Sequence, residues 1–146
     1  MKCHNFIYLG VLLASLSTRA QSENPVAQRE LELARSLFQA GEYQQVIQKT
    51  ESLLLDQALN NAEKLETNKL GGLSCYNLQR ESEAEAFFLR MLKINPDYVL
   101  DPFAVPPATI RFFDRVRAKH AKTLDEVRSQ VRIVAPPQSP TFQLGD

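Results

Sequence analysis

The sequence has little of what most catalytic and metal sites are made from. It holds two cysteines and two histidines, and Cys3 and His4 sit at the extreme N-terminus. Without them, Cys75 and His120 stand alone, and the paired spacings that hold zinc cannot be assembled. A lone Cys75 excludes an intramolecular disulfide. In an exported chain an odd cysteine is a free reactive thiol, an intermolecular bridge or a small buried hydrophobe, and its place on an apolar helical face favours burial. His120, with Lys119 and Lys122 beside it and no adjacent carboxylate, reads as a solvated surface histidine. Nothing around either residue supports a Cys75–His120 nucleophile pair. Glycine is scarce too, and Gly71-Gly72 lacks the lysine and spacing of a phosphate loop. Glu83 and Glu85, two apart on a helix, point in different directions. No catalytic site, metal site or cofactor is expected.

Charge of one sign is also missing, since the formal net charge is zero. No global field therefore draws the chain to nucleic acid or membrane. No apolar run reaches the roughly 20 residues a bilayer-spanning helix needs. The nearest is Phe6–Leu16 (FIYLGVLLASL), preceded by Lys2 without an acid and followed by Thr18-Arg19-Ala20. A buried N-terminal helix is one reading of this stretch. The lysine, the absent acids and the small residues at Thr18 and Ala20 instead fit a secretory signal peptide over 1–20, cleaved after Ala20. Cys3 lies on the wrong side of the apolar run for a lipid anchor. The expectation is an exported protein, periplasmic or secreted and not a lipoprotein, that touches the envelope at most peripherally.

What the rest of the chain does have is helical periodicity. Pro25 suits a first turn, with Asn24 before it as cap, and Leu31, Ala34, Leu37 and Phe38 recur along one helix face up to Gly41. Val46, Ile47, Leu53 and Leu54 mark a second helix from about Tyr43, and DQALNN (56–61) reads as its end and a loop. A third helix, about 62–78, contains Gly71 and Gly72. Each costs about 1 kcal/mol against alanine in a helix, which close approach of a neighbouring helix backbone would justify. A fourth, about 82–94, opens on Ser82 and Glu85, a capping-box pattern, and stops at Asn95-Pro96-Asp97. Residues 97–107 form a proline-rich strap expected to lie on the core through Leu100, Phe103 and Val105. Residues 108–134 read as one long helix, and the proline-rich tail 135–146 as disordered.

The two hairpins superpose at a shift of 38 residues: Ala34 falls on Gly72, Leu37 on Cys75, Phe38 on Tyr76, Val46 on Ala84, Leu53 on Met91 and Leu54 on Leu92. A repeated helix-turn-helix unit is the signature of a helical solenoid. ARSLFQAGEYQQVIQKTESLL and GGLSCYNLQRESEAEAFFLRMLKINP resemble tetratricopeptide repeats, with Ala34 or Gly72 at the small position of the first helix and Pro96 as the terminal proline. The resemblance covers about Leu31–Pro96. It implies an all-α, short solenoid of two hairpins over 25–96, followed by a long helix capping its apolar end through Ile110, Phe113 and Val116. The departures are a period about four residues longer than the usual 34 or so, no early tryptophan, and Gln79 and Glu81 in place of Gly41 and Tyr43. An unrelated four-helix bundle is the alternative. LDPFAVPPATIRFFDRVR more loosely resembles a segment following such repeats in bacterial envelope proteins.

The resemblance implies a binding module whose concave face takes a peptide or helix of another envelope protein. Its contacts would be Arg35, Gln39, Asn68 and Asn77, polar positions on the first helix of each hairpin. A second reading makes the repeats a rigid spacer whose basic C-terminal helix or tail makes the contact. Between 111 and 132, Arg111, Arg115, Arg117, Lys119, Lys122, Arg128 and Arg132 face only Asp114, Asp125 and Glu126, so a basic helix led by Arg111 and Arg115 would make the contact with an acidic partner or anionic surface. Solvated faces that cancel against the acidic stretch 23–66 explain the same pattern. Phe113, Val116, Val127, Val131 and Val134 keep a broken seven-residue rhythm, too short for a coiled coil, though the half beyond His120 is free to project and pair. Export and the lack of interleaved aromatics disfavour nucleic acid.

Overall fold

The computed structural model describes residues 25–56 and 59–134; the expected signal peptide over 1–20, the expected Asn24 cap and the tail 135–146 lie outside them. Among the described residues there are six helices and no strand: α1 (Pro25–Gln39), α2 (Tyr43–Leu54), α3 (Asn61–Asn77), α4 (Glu81–Ile94), α5 (Pro107–Lys119) and α6 (Ala121–Val134). The all-helical class follows from the period-3.6 apolar pattern.

Helices α1, α2 and α3 pack on one another and α4 packs on α3. Ala27, Leu31 and Ala34 of α1 meet Val46 and Leu53 of α2, Leu70 of α3 and Leu59 in one buried cluster. A second cluster joins Ile47, Leu73, Cys75, Ala84, Phe87, Phe88, Met91 and Leu92 to Leu100, Val105, Phe112, Phe113, Val116 and Leu124. Because α3 has a neighbour on several sides, it buries polar as well as apolar residues. Thr67 and Asn68 are satisfied within the helix, donating to the carbonyls of Glu63 at 2.7 Å and Lys64 at 2.7 Å.

The two hairpin turns are alike in conformation although their sequences differ. Gly41, at φ +79°, ends α1, with Gly41 N–H donating to Phe38 O and Glu42 N–H to Leu37 O. Gln79, at φ +59°, ends α3, with Gln79 N–H donating to Tyr76 O and Arg80 N–H to Cys75 O. Both are left-handed helix ends with paired carbonyls, and they lie at the same 38-residue offset as the core positions.

Several expectations are corrected. The helix over 108–134 is broken at His120 into α5 and α6. Beyond the break α6 does not project: Leu124 is fully buried, and Arg128 donates to Asp97 Oδ1 at 3.0 Å and to the carbonyl of Pro96. Both α5 and α6 therefore lie on α4. Ser82 and Glu85 make no capping box, since α4 starts at Glu81 and Glu85 is engaged elsewhere. The box lies at the start of α3, where Asn60 Oδ1 accepts from Glu63 N–H at 3.0 Å and Glu63 Oε2 from Asn60 N–H at 2.8 Å. The glycine pair makes room for aromatic rings rather than a helix backbone. A Cβ on Gly72 would stand 2.5 Å from Phe88 Cε1, and one on Gly71 would strike Phe87. Leu100 and Val105 anchor the strap as expected, whereas Phe103 is 99% exposed.

Candidate functional site

The strap helps to form a concavity against α1 and α3. Leaving α4, the chain turns at Tyr98, whose carbonyl accepts a hydrogen bond from Arg117 of α5. It then buries Leu100 and Val105, which brings residues 98–105 against α1 and α3. The result is a cleft of about 300 Å³. Phe38, Leu70, Leu73, Leu100 and Val105 give it an apolar base, while Arg35, Gln39, Glu66, Lys69 and Asp101 stand around it.

Its charges are held in place from both helices. Glu66 of α3 takes Arg35 of α1 at 3.3 Å and Lys69 of its own helix at 2.6 Å, and Glu32 pairs with Arg35 from the other side. These groups are half-exposed, so each pair stabilises the fold little; their effect is to fix where Arg35 and Lys69 point. An apolar floor with a few placed polar groups is the usual composition of a ligand-binding concavity.

Of the residues expected at a binding face, Arg35 and Gln39 meet in this cleft. Asn68 does not: it is buried, accepts from Arg90 Nε at 3.0 Å and belongs to the α3–α4 packing. Arg90 in turn lies over the Phe87 ring at 4.4 Å. Asn77 is exposed but sits apart, near Gln79 and Glu81, its amide donating to Leu73 O at 3.0 Å. Arg111 and Arg115 lie on the exposed face of α5, with Arg115 5.4 Å from the centre of the Phe112 ring. Glu66, Lys69, Tyr98, Asp101 and Ala104 were missed as lining residues. The signal for the first two was their spacing of seven and four from Leu73, on one helix face. The strap residues carried no such periodicity.

His120 also departs from expectation. Its Nε2 lies 2.8 Å from Glu85 Oε1, and Lys119 Nζ lies 2.7 Å from the same oxygen. Hydrogen bonds from Lys119 and His120 hold the Glu85 carboxyl below its ordinary range. The cluster clips the α5–α6 junction to α4. Cys75 is fully buried, and burial with Glu83 nearby pushes its thiol up to about 11; such a thiol is a poor nucleophile. Among the described residues no group of His, Cys, Asp and Glu could hold a metal ion, and no helix is long and apolar enough to cross a membrane. Comparison with protein-family models, with curated proteins and with solved structures finds no match to this chain.

Proposed function

We propose that this chain is an exported protein–protein interaction module of the cell envelope, built on two tetratricopeptide-like hairpins and not an enzyme. The observation carrying this reading is the cleft, where Arg35 and Gln39 of α1 meet Glu66 and Lys69 of α3 over an apolar floor closed by the strap. Such a concavity suits one or two apolar side chains of an extended or helical segment, with the charged rim fixing its polarity. The like-shaped turns at Gly41 and Gln79 support the repeat. The N-terminal lysine, apolar run and Thr18-x-Ala20 support export.

The spacer reading has its own observation, the exposed Arg111 and Arg115 on α5. Removing the chain from Leu124 onward would not separate the two readings, because buried Leu124 belongs to the core. Surface substitutions do separate them. In affinity capture from the envelope fraction, Arg35→Ala with Gln39→Ala is expected to lose the partner, while Arg111→Glu with Arg115→Glu retains it. The opposite pattern would make the cleft irrelevant and the basic helix the contact.

A further inference from the structure

The break between α5 and α6 is a single residue wide. His120 stands in it at φ −106° and ψ 17°, and a change of about 40° in φ and about 60° in ψ would make it α-helical. The helical ladder reaches it from both sides: His120 N–H donates to Val116 O at 3.1 Å, and Leu124 N–H donates to His120 O at 3.1 Å. Only the three bonds between, from the N–H groups of Ala121, Lys122 and Thr123 to the carbonyls of Arg117, Ala118 and Lys119, are not made. No glycine or proline follows Pro107 before Val134. Local preference therefore favours one unbroken helix over 107–134, and straightening at His120 would complete its ladder.

Against that preference, α6 is held by few contacts. Of residues 121–130, Leu124 alone is buried. Arg128 reaches Asp97 Oδ1 and the Pro96 carbonyl just past α4, and Lys119 and His120 share Glu85 of α4 at the bend. A straightened chain would carry Leu124 and Arg128 away from α4 and leave their places open. The segment that fits those places is already in view, because it is α6 itself. A second copy of this chain brings an identical α6, and exchange in both directions closes the pair about a two-fold axis. A short connection between packed elements invites such an exchange. Leu124 would regain its apolar site and Arg128 its Asp97, each across the pair. The contacts given up are those at the bend, and the three completed ladder bonds offset them.

We infer that α6 is an exchangeable arm, and that α4 with Asp97 is a docking surface for the α6 of a second copy of this chain. In the pair, each protomer runs one continuous helix from Pro107 to Val134 and lays its outer half on its partner. Glu85 is the latch of the closed monomer, since it holds Lys119 and His120 where the chain bends. The cleft between α1, α3 and the strap takes no part in the exchange.

Sedimentation of the purified protein, refolded from urea over a range of concentrations, tests this. A dimer should grow in as the refolding concentration rises. Glu85→Gln should raise the dimerisation constant about five-fold or more, because two latches are lost per dimer. Ala121→Pro should abolish the dimer, since proline is accepted in the first turn of α6 but not in the middle of a continuous helix. Ala121→Gly should act in the same direction more weakly, and it serves where the proline strains the bend. Exchange itself is read by refolding Asp97→Cys together with Arg128→Cys and mapping disulfides by mass spectrometry. A bond from position 97 of one chain to position 128 of the other is expected. The doubly substituted chain should close the same bond within its monomer, which shows that the two positions can be joined. Wild-type and Glu85→Gln proteins that are both monomeric at every concentration would overturn the inference. So would a dimer indifferent to both changes at position 121, or one in which the 97–128 bond forms only within a chain.

Discussion

Gln79 occupies in the second hairpin the left-handed position that Gly41 occupies in the first, at φ +59° against +79°. Glycine takes that conformation without steric cost, whereas a residue with a Cβ is strained there by about 1–2 kcal/mol. Gln79→Gly is therefore expected to raise stability by about 1 kcal/mol, read as a higher urea midpoint at unchanged slope. Gly41→Gln should lower it by a similar amount. A neutral Gln79→Gly would mean that the turn is not held as described.

The same chemistry has the opposite sign inside α3. Alanine for glycine in a helix ordinarily stabilises by about 1 kcal/mol. At Gly72 the new methyl would meet the ring of Phe88 at 2.5 Å, and Phe88 is fully buried between α3 and α5 residues. Gly72→Ala should thus destabilise by about 1–3 kcal/mol, the usual cost of overpacking, measured by thermal or urea unfolding.

The same two glycines, with their neighbours, show how far the sequence could be read. Helices α1 to α4 were legible because Leu31, Ala34, Val46, Leu53, Ala84 and Met91 keep the helical period. So was the need for small residues at 71–72, though the partner rings were not, since Phe87 and Phe88 belong to another helix. The bend at His120 had no local signal either: no glycine or proline lies between Pro107 and Val134. It is imposed by tertiary contacts, with Glu85 holding Lys119 and His120 at one point and Asp97 holding Arg128 at another. Periodicity assigns α3 one apolar face and leaves Asn68 on the surface, whereas α3 is covered on several sides. Arg35 and Gln39 were legible as free polar positions on α1. The strap that turns them into a cleft wall was not, because extended backbone anchored by Leu100 and Val105 leaves no period to read.

Asn68 belongs to the packing of α3 on α4, so its substitution should act on stability. Asn68→Ala removes the acceptor for Arg90 and its own bond to Lys64 O. A loss of about 1–3 kcal/mol is expected in urea unfolding. Partner capture by the remaining folded protein should be unchanged.

Glu85 sets a pH dependence at the α5–α6 junction. Its carboxyl is held below the ordinary value of 4.5, first by the hydrogen bond from Lys119 and then by that from His120. A depressed folded-state value means that the stabilisation is present above the unfolded value and is lost as pH falls through the folded one. Hydrogen exchange in α6 should accelerate as pH drops below about 4.5, after correction for intrinsic rates. Glu85→Gln should exchange faster at neutral pH and show a weaker acid dependence.

Buried Cys75 should resist modification. With its thiol pushed up to about 11, the native protein should not react with a disulfide reagent at pH 8, and should react fully in denaturant. Rapid labelling of the folded protein would restore the case for a nucleophile.

The central claim is that partners are held in the cleft between α1, α3 and the strap. A photoreactive amino acid placed at exposed Gln39, with exposed Gln130 on α6 as control, tests it most directly. On irradiation in the envelope fraction, position 39 should form adducts with another envelope protein, and position 130 should form none. Adducts at 130 with none at 39 would place the contact on α6, outside the cleft, and contradict the account.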